Sequence, residues 1–521
     1  MKSKSFINRY NNLIYIFFLF IFSFSVNQYY AYVGVLPVDS FSTFNSGYEI
    51  LNGTVPFKDY WVLKGIVLDI IQAFFFKIFG VSWFSYSIHA STFNSIFALS
   101  TFFTLKKFNL STKYSFFYAT LSSILMYPTY GIPFTDHSTA IFCMLSIYSL
   151  CLAIKLNKNK YWFLIPIFIF LAFFTKQAPT GYFGILIILI SILYLISNFK
   201  KEVFYFGTLG VLVSLVTFFL YIYFKKISLD AIITQYFLYP MSLGETRLEW
   251  LLPIEFQRFV LRHKLIYLAL SIPIFLFFKS IFKNILSILE KENLIFLLLI
   301  GTLIIFIAHQ LMTINGLYIF FLIPVFSGFS HAHIKNLDKK YLINFFLLLS
   351  LISTIYYHQK YISKRDTLLL RKLDLKQTVN AEILSPKLKN LRWITHHYPK
   401  NPKKEIENLL VAMKIIEQDK QKKMIVTDYQ FISVVLSIRD NSAARIWWRH
   451  HIYPVSGNKY FKDWKNFLLT KIKKDKIEVI YTVHPLEGET DIFQGMINSN
   501  CYSKIEITEI LTVQKLQNCV E

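Results

Sequence analysis

The sequence predicts a mainly α-helical, polytopic membrane bundle of about eleven transmembrane helices plus juxtamembrane helices, followed by a C-terminal extracytoplasmic α/β domain. Hydrophobic residues make up 54% of the 521-residue chain and its mean hydropathy is positive. That leaves too little polar surface for a water-soluble protein of this length. Apolar runs of bilayer length recur up to about residue 358, and beyond it Lys, Glu and Asn become frequent between isolated hydrophobic residues. The two regions are read as a transmembrane domain over 1–358 and a small α/β domain over 359–521.

At the N-terminus, Lys2, Lys4 and Arg9 precede an apolar run from Leu13 to Val26. The following SVNQYYAYVG lacks a small-x-small cleavage site, which points to an uncleaved signal-anchor rather than a signal peptide. Runs of about 17 to 25 residues then fall near 11–30, 83–105, 114–130, 138–154, 161–176, 181–197, 203–223, 265–282, 292–309, 316–332 and 341–358. The segment 65–80 is also apolar. Basic tracts at 106–113 and 155–160 are expected in the cytoplasm with the N-terminus, so 65–80 is assigned to an interfacial helix with Asp69, Gln72 and Lys77 on its wetter side. The same count places 31–82, 131–137, the turn around Lys176 to Pro179, the loop 224–264, 310–315 and everything after His358 outside.

The formal charge of +24, from 55 Lys and Arg against 31 Asp and Glu, follows largely from these loop tracts, such as KLNKNK, NFKKE and HIKNLDKK. It gives no reason to invoke nucleic acid. Cys143 and Cys151 lie inside an apolar run, whereas Cys501 and Cys519 lie near the end. Their spacing suits no metal. An extracytoplasmic tail would permit a Cys501–Cys519 disulfide.

Within the tail, KMIVTDY at 423–429 and KIEVIYTVHP at 476–485 read as buried strands, and KIEITEILTVQKL at 504–516 as an edge strand or hairpin. RIWWRHHIYP at 445–454 is read as aromatic core with a basic rim, a sugar or acyl contact being the alternative. No fixed-period repeat or low-complexity linker is present.

The first outside loop is the most informative stretch. Asp39 follows the first crossing, and a helix starting at Ser40 puts Phe41, Phe44, Tyr48 and Leu51 on one face, as expected of an amphipathic helix on the membrane surface. Asn52 and Gly53 end it, and Pro56 leads into a polar cluster containing Lys58, Asp59, Tyr60, Trp61 and Lys64. Asp39 taken alone suits a helix N-cap. A second acid, Asp136, lies in the short outside turn GIPFTDHS, where an ionisable group so near lipid points to function; capping or pairing with His137 is the alternative. A third turn, FFTKQAPTG, sets Lys176 and Gln177 at the mouth of a helix pair, although a lone lysine there also suits snorkelling.

In the order Asp39, GTVPFKDYWVLKG at 53–65, FTDHS at 134–138 and FTKQAP at 174–179, the chain resembles the GT-C superfamily of membrane glycosyltransferases, which includes protein O-mannosyltransferases and aminoarabinose transferases. The resemblance covers roughly the first 200 residues and rests on order and spacing, since each motif is short. It implies transfer of a sugar from a polyprenyl-phosphate donor lying in the membrane lipid to an extracytoplasmic lipid, glycan or protein, with inversion expected of a single displacement. Asp39 is then the base that accepts the acceptor's hydroxyl proton. Asp136 orients acceptor or base, and Lys64, Lys176 and Arg247 of the long loop face the leaving phosphate. Tyr60, His137 and Gln177 complete the candidate substrate-binding set. Ser40 stands where many members carry a second acid, and Gly65 and Ile66 replace the usual proline pair, so no divalent metal or other cofactor is assigned.

Arg247 also suits a salt-bridged surface loop with Glu245 and Glu249, and His309 beside Gln310 a structural helix end. A transporter or flippase of a lipid-linked or polar substrate is the alternative from another class. It calls for broken helices, mid-membrane acids and paired repeats, whereas the polar residues here gather at the outside helix ends. The Lys-, Asn- and Ile-rich usage suits an AT-rich bacterial genome and hence a plasma-membrane protein with a periplasmic tail.

Overall fold

The computed structural model describes residues 2–244, 249, 255–313, 318–334, 339–448, 451–486, 493 and 495–517. Its longer helices are α1 (Lys2–Ala31), α2 (Ser42–Leu51), α3 (Val67–Phe79), α4 (Trp83–Lys107), α5 (Thr112–Leu125), α6 (Thr135–Leu156), α7 (Asn159–Phe173), α8 (Gln177–Ser197) and α9 (Lys201–Lys225), followed by α10 (Ser271–Lys283), α11 (Lys291–Thr313), α12 (Leu322–Ile334) and α13 (Lys340–Tyr357). After the last apolar helix come β1 (Val379–Asn380), β2 (Arg392–Trp393), α14 (Pro402–Gln418), β3 (Lys423–Thr427), α15 (Phe461–Asp475), β4 (Val479–Val483), β5 (Tyr502–Thr508) and β6 (Leu511–Leu516). The fold is mainly helical with a small sheet. Each apolar run expected to cross a bilayer is helical over most of its described part, and 67–79 is a separate helix of 13 residues, only about 20 Å long and short of a bilayer's hydrocarbon thickness.

Among the described residues, six helices are long and apolar enough to span a membrane, within Asn12–Ala31, Thr135–Leu156, Gln177–Ser197, Lys201–Lys225, Lys291–Thr313 and Lys340–Leu368. Two apolar helices are shorter, Asn159–Phe173 and Ile319–Ile334. Helix α4 has the length but carries buried Ser91, Asn94, Ser95, Thr101 and Thr104.

Two compact units divide the chain. The first comprises Met1–Ala31, Ala90–Leu220 and Arg247–Thr367. Helix α6 lies at its centre, with every residue from Thr135 to Ile154 buried. The polar residues of α4 bond to neighbouring helices inside this unit: Asn94 donates to the carbonyls of Ser23 and Ser123 (2.8 and 3.1 Å), Ser23 bonds Ser95 (3.0 Å), and Asn27 donates to Ser91 Oγ (3.0 Å). Bonds of this kind hold helices together where no water competes. Helices α8 and α9 instead leave Ile185, Ile188, Ile192, Val216 and Phe219 bare, the surface a helix presents to lipid.

The second unit comprises Tyr32–His89, Tyr221–Thr246 and Leu368–Glu521. Its four-stranded sheet has the order β3-β4-β6-β5, with β3 and β4 parallel and the other pairs antiparallel. Both expected buried strands are present, and 504–516 is the greater part of the β5–β6 hairpin. Helix α2 departs from expectation. It is enclosed rather than spread on a membrane surface, with all residues from Ser42 to Glu49 buried. Phe44 packs on Phe76, Trp83 and Tyr86, while Phe41 stacks on Trp393 and touches Phe431. Its polar side is occupied as well, since Asn45 donates to Asp440 (2.6 Å) and accepts from Ser433 (2.8 Å).

Glu405 anchors another part of this core by accepting from Trp393 Nε1, Thr395 Oγ1 and Tyr429 Oη at 2.7–2.9 Å. Trp447 is buried against Trp464, Tyr453 and Phe493, which makes it core, whereas Trp448 is partly exposed. Cys501 is disulfide-bonded; Cys519 lies outside the described residues.

Trp464, fully buried and ringed by Trp61, Trp447 and Tyr453, carries the aromatic core of the second unit. Trp464→Ala is expected to cost about 3–5 kcal/mol and to lower the thermal unfolding midpoint of the detergent-solubilised protein, whereas Trp448→Ala is expected to change it little.

Candidate functional site

In the first unit the site is built on the turn between α5 and α6. Helix α5 stops at Leu125, and Tyr127, Pro128 and Thr129 form one tight turn. Gly131 follows at φ +86°, where a Cβ would lie 2.7 Å from the backbone of Tyr30, so only glycine fits. The turn is held by Arg365, which is 1% exposed and donates to the carbonyls of Pro128 (2.7 Å) and Tyr130 (2.6 Å). Thr367 adds a bond to the Thr129 carbonyl. Sequence reasoning missed Arg365, because an arginine just past an apolar run reads as an interfacial anchor.

The pinned turn starts α6 with Asp136 and His137 already buried. His137 Nε2 is hydrogen-bonded to Thr129 Oγ1, and the rings of Tyr127, Tyr130 and Phe134 surround its imidazole. Asp136 forms an ion pair with Lys176, whose side chain is 13% exposed. Lys176 and Gln177 lead into α8, whose regular helical path begins at Pro179 because Ala178 is extended at φ −102°, ψ 132°. One carboxylate at the start of α6 and one ammonium in the turn leading into α8 therefore meet. A helix N-terminus favours anions, so the start of α6 adds to the Lys176 charge that Asp136 balances.

In the second unit, Asp39 lies in the one-turn helix Pro37–Ser40 between buried Val38 and Ser40, and is itself part-exposed. The turn is fixed by Ser40, whose Oγ accepts from Leu36 N–H (2.9 Å) and whose carbonyl accepts from Tyr86 Oη (3.0 Å). Asp39 does not cap α2, whose N-cap is Phe41 with no side-chain bond. Tyr60 is buried and Lys64 half-buried. Asp69, expected on the wetter side of its helix, is instead buried and paired with Arg445 at 2.6 Å. No helical periodicity reveals a partner that far along the chain. The structure thus brings Asp136 and Lys176 together, sets His137 and Gln177 beside them in sequence, and carries Asp39, Tyr60 and Lys64 in the second unit. Arg247 lies outside the described residues.

Buried Glu49 and part-buried Asp440 are neighbouring acids in the second unit, Glu49 Oε1 accepting from Asp440 N–H at 3.3 Å. Burial, with Asp440 next, pushes the Glu49 carboxyl up to about 8, and burial raises Asp440 as well. Among the described residues no three His, Cys, Asp or Glu side chains are grouped to hold a metal ion, and Asp136 is already committed to Lys176. No step is routed through a divalent cation.

No family model and no curated protein matches the chain. Solved structures similar to it include ArnT from Cupriavidus metallidurans bound to undecaprenyl phosphate, at 11% identity and a TM-score of 0.46 over 98% of each chain. The apo state of that protein is similar at 10% identity and a TM-score of 0.47, over 99% of this chain and 98% of the other. An oligosaccharyltransferase from Archaeoglobus fulgidus, in complex with Zn and sulfate, is similar at 12% identity and a TM-score of 0.44, over 90% of this chain and 68% of its own.

Asp136→Asn strands the Lys176 charge in a largely buried site and is expected to cost about 3–5 kcal/mol. The double variant Asp136→Asn/Lys176→Met is expected to recover most of that loss, and thermal unfolding in detergent measures both. A second expectation concerns pH. Because the folded-state pKa of Glu49 lies above its unfolded value, the native state binds the extra proton between them, so its stabilising contribution is full below about 4.5 and fades as pH rises through about 8. Unfolding scans between those limits should show stability falling with pH, with a shallower fall in Glu49→Gln.

Proposed function

We propose that the chain is an integral membrane glycosyltransferase that moves a sugar from a polyprenyl-phosphate donor to an extracytoplasmic acceptor, a lipid, glycan or protein. The observation that carries this reading is the buried Asp136–Lys176 pair between the start of α6 and the turn leading into α8, in a unit with lipid-type apolar faces. It is supported by the order of Asp39, the 53–65 turn, the Asp136 turn and the Lys176 turn along the sequence.

In this mechanism the acceptor hydroxyl gives its proton to Asp39 while its oxygen attacks the anomeric carbon. The bond from that carbon to the phosphate oxygen breaks, with inversion, and polyprenyl phosphate leaves with the bonding electrons. Lys176 and the start of α6 stabilise the charge that grows on the phosphate, and Lys64 and Arg247 are assigned to the same task. Asp136 holds the Lys176 ammonium in place and orients the acceptor, with Tyr60, His137 and Gln177 around the substrates. The site faces the periplasm of a bacterial inner membrane, with the N-terminus cytoplasmic.

Membranes containing the protein are expected to transfer radiolabelled sugar from a polyprenyl-phosphate donor pool. Asp39→Asn, at matched expression and with donor still bound, should transfer about 100- to 10,000-fold more slowly. Equal transfer by both proteins would refute the assignment of the base.

A further inference from the structure

The sheet of the second unit ends on β5, since its strand order is β3-β4-β6-β5. Every residue from Ser503 to Ile507 is exposed, Ile505 to 42% and Ile507 to 45%, so neither face of this strand is covered among the described residues. An open edge strand that carries exposed aliphatic side chains is a template for pairing with another chain.

Hydrogen bonds at the end of the hairpin settle what the edge offers. The Gln517 N–H donates to the Cys501 carbonyl (2.8 Å), and the Leu516 N–H to the Glu478 carbonyl (2.9 Å). Carried along the register Ser503↔Lys515 and Ile505↔Val513, this makes the odd-numbered residues of β5 the ones bonded to β6, because antiparallel ladders alternate bonded and non-bonded positions. The backbone N–H and C=O of Lys504 and Glu506 therefore point outward, where no strand lies among the described residues. Their side chains share one face of the strand and Ile505 takes the other. Neither charge is in an ion pair among the described residues.

A lysine on an edge strand usually discourages pairing, but here charge selects one register. A two-fold axis through Lys504 or through Glu506 would set like charges directly opposite, which is destabilising. An axis through Ile505 sets each Lys504 against Glu506 of the second copy in hydrogen-bonded positions. It also brings the two Ile505 side chains together at the closer, non-hydrogen-bonded position. We propose that β5 is a self-association edge: two copies of this chain pair antiparallel about a two-fold axis at Ile505, joining their four-stranded sheets into one. The contact is isologous, so it closes at a dimer. The ladder shift between Glu506 and Thr508 keeps the paired stretch short, and the interface is of the small, reversible kind, below about 1,200 Å2.

The test uses full-length protein in its own membranes, with Ile505→Cys as the probe and Lys462→Cys, an exposed site on α15, as the collision control. Cα atoms at the non-hydrogen-bonded position lie about 4.5 Å apart, within disulfide range. Mild oxidation with copper phenanthroline should give a covalent dimer of Ile505→Cys and little or none of Lys462→Cys. Added to Ile505→Cys, Lys504→Glu or Glu506→Lys alone gathers like charges at the junction and should lower the dimer yield about fivefold or more. Combining both exchanges in one chain, or co-expressing the two single exchanges, restores opposite charges across the axis and should restore the yield. If Ile505→Cys fails to accumulate, light scattering of the wild type and the charge variants in detergent reads the same pattern. Absence of the dimer, equal cross-linking of Lys462→Cys, capture of a different protein, or charge variants that neither weaken nor restore the dimer would overturn the proposal.

Discussion

An ammonium and a carboxylate at the ends of two helices in an apolar bundle have little water to turn to, and the pairing of Lys176 with Asp136 is the consequence that organises the candidate site. Each member alone is costly, and together they remain tolerable only because the surrounding turn is rigid. Arg365 supplies that rigidity by filling the carbonyls of the 128–130 turn, and Gly131 lets the turn pass against the backbone of Tyr30. The result is a lysine held beside the N-terminus of α6, where the helix dipole favours negative charge.

The second unit solves a different problem with similar means. A short apolar helix after the first crossing carries Asn45 and Glu49 on its other side, and these need partners if the helix is to be enclosed. Asp440, Ser433 and the backbone of the C-terminal region provide them. Asp69 is buried on the same principle, matched by Arg445. The first-loop segment and the C-terminal sheet therefore share one compact unit although more than three hundred residues separate them in sequence.

The fold was legible wherever local pattern governs it. Apolar runs became helices, and the β-branched runs at 423–427 and 479–483 became paired strands, because periodicity and side-chain shape act within a few residues. What the sequence left hidden depends on long-range partners. Helix α2 looked like a membrane-surface helix because its polar residues were counted as facing water, and nothing local foretells that Asp440 and Ser433 meet them. Asp69 was misplaced for the same reason. In the site, Asp136 and Lys176 stood out as charges in turns where charge is costly, whereas Arg365 was invisible because its partners are backbone carbonyls.

The measurement that bears most directly on the central claim uses purified protein reconstituted in liposomes that carry a defined polyprenyl-phosphate sugar and a mixture of candidate acceptors. Mass spectrometry follows the lipid. The account requires free polyprenyl phosphate to appear mole for mole with glycosylated acceptor. Passage of the intact lipid-linked sugar from one leaflet to the other, with no polyprenyl phosphate released, would contradict it and mark the chain as a flippase.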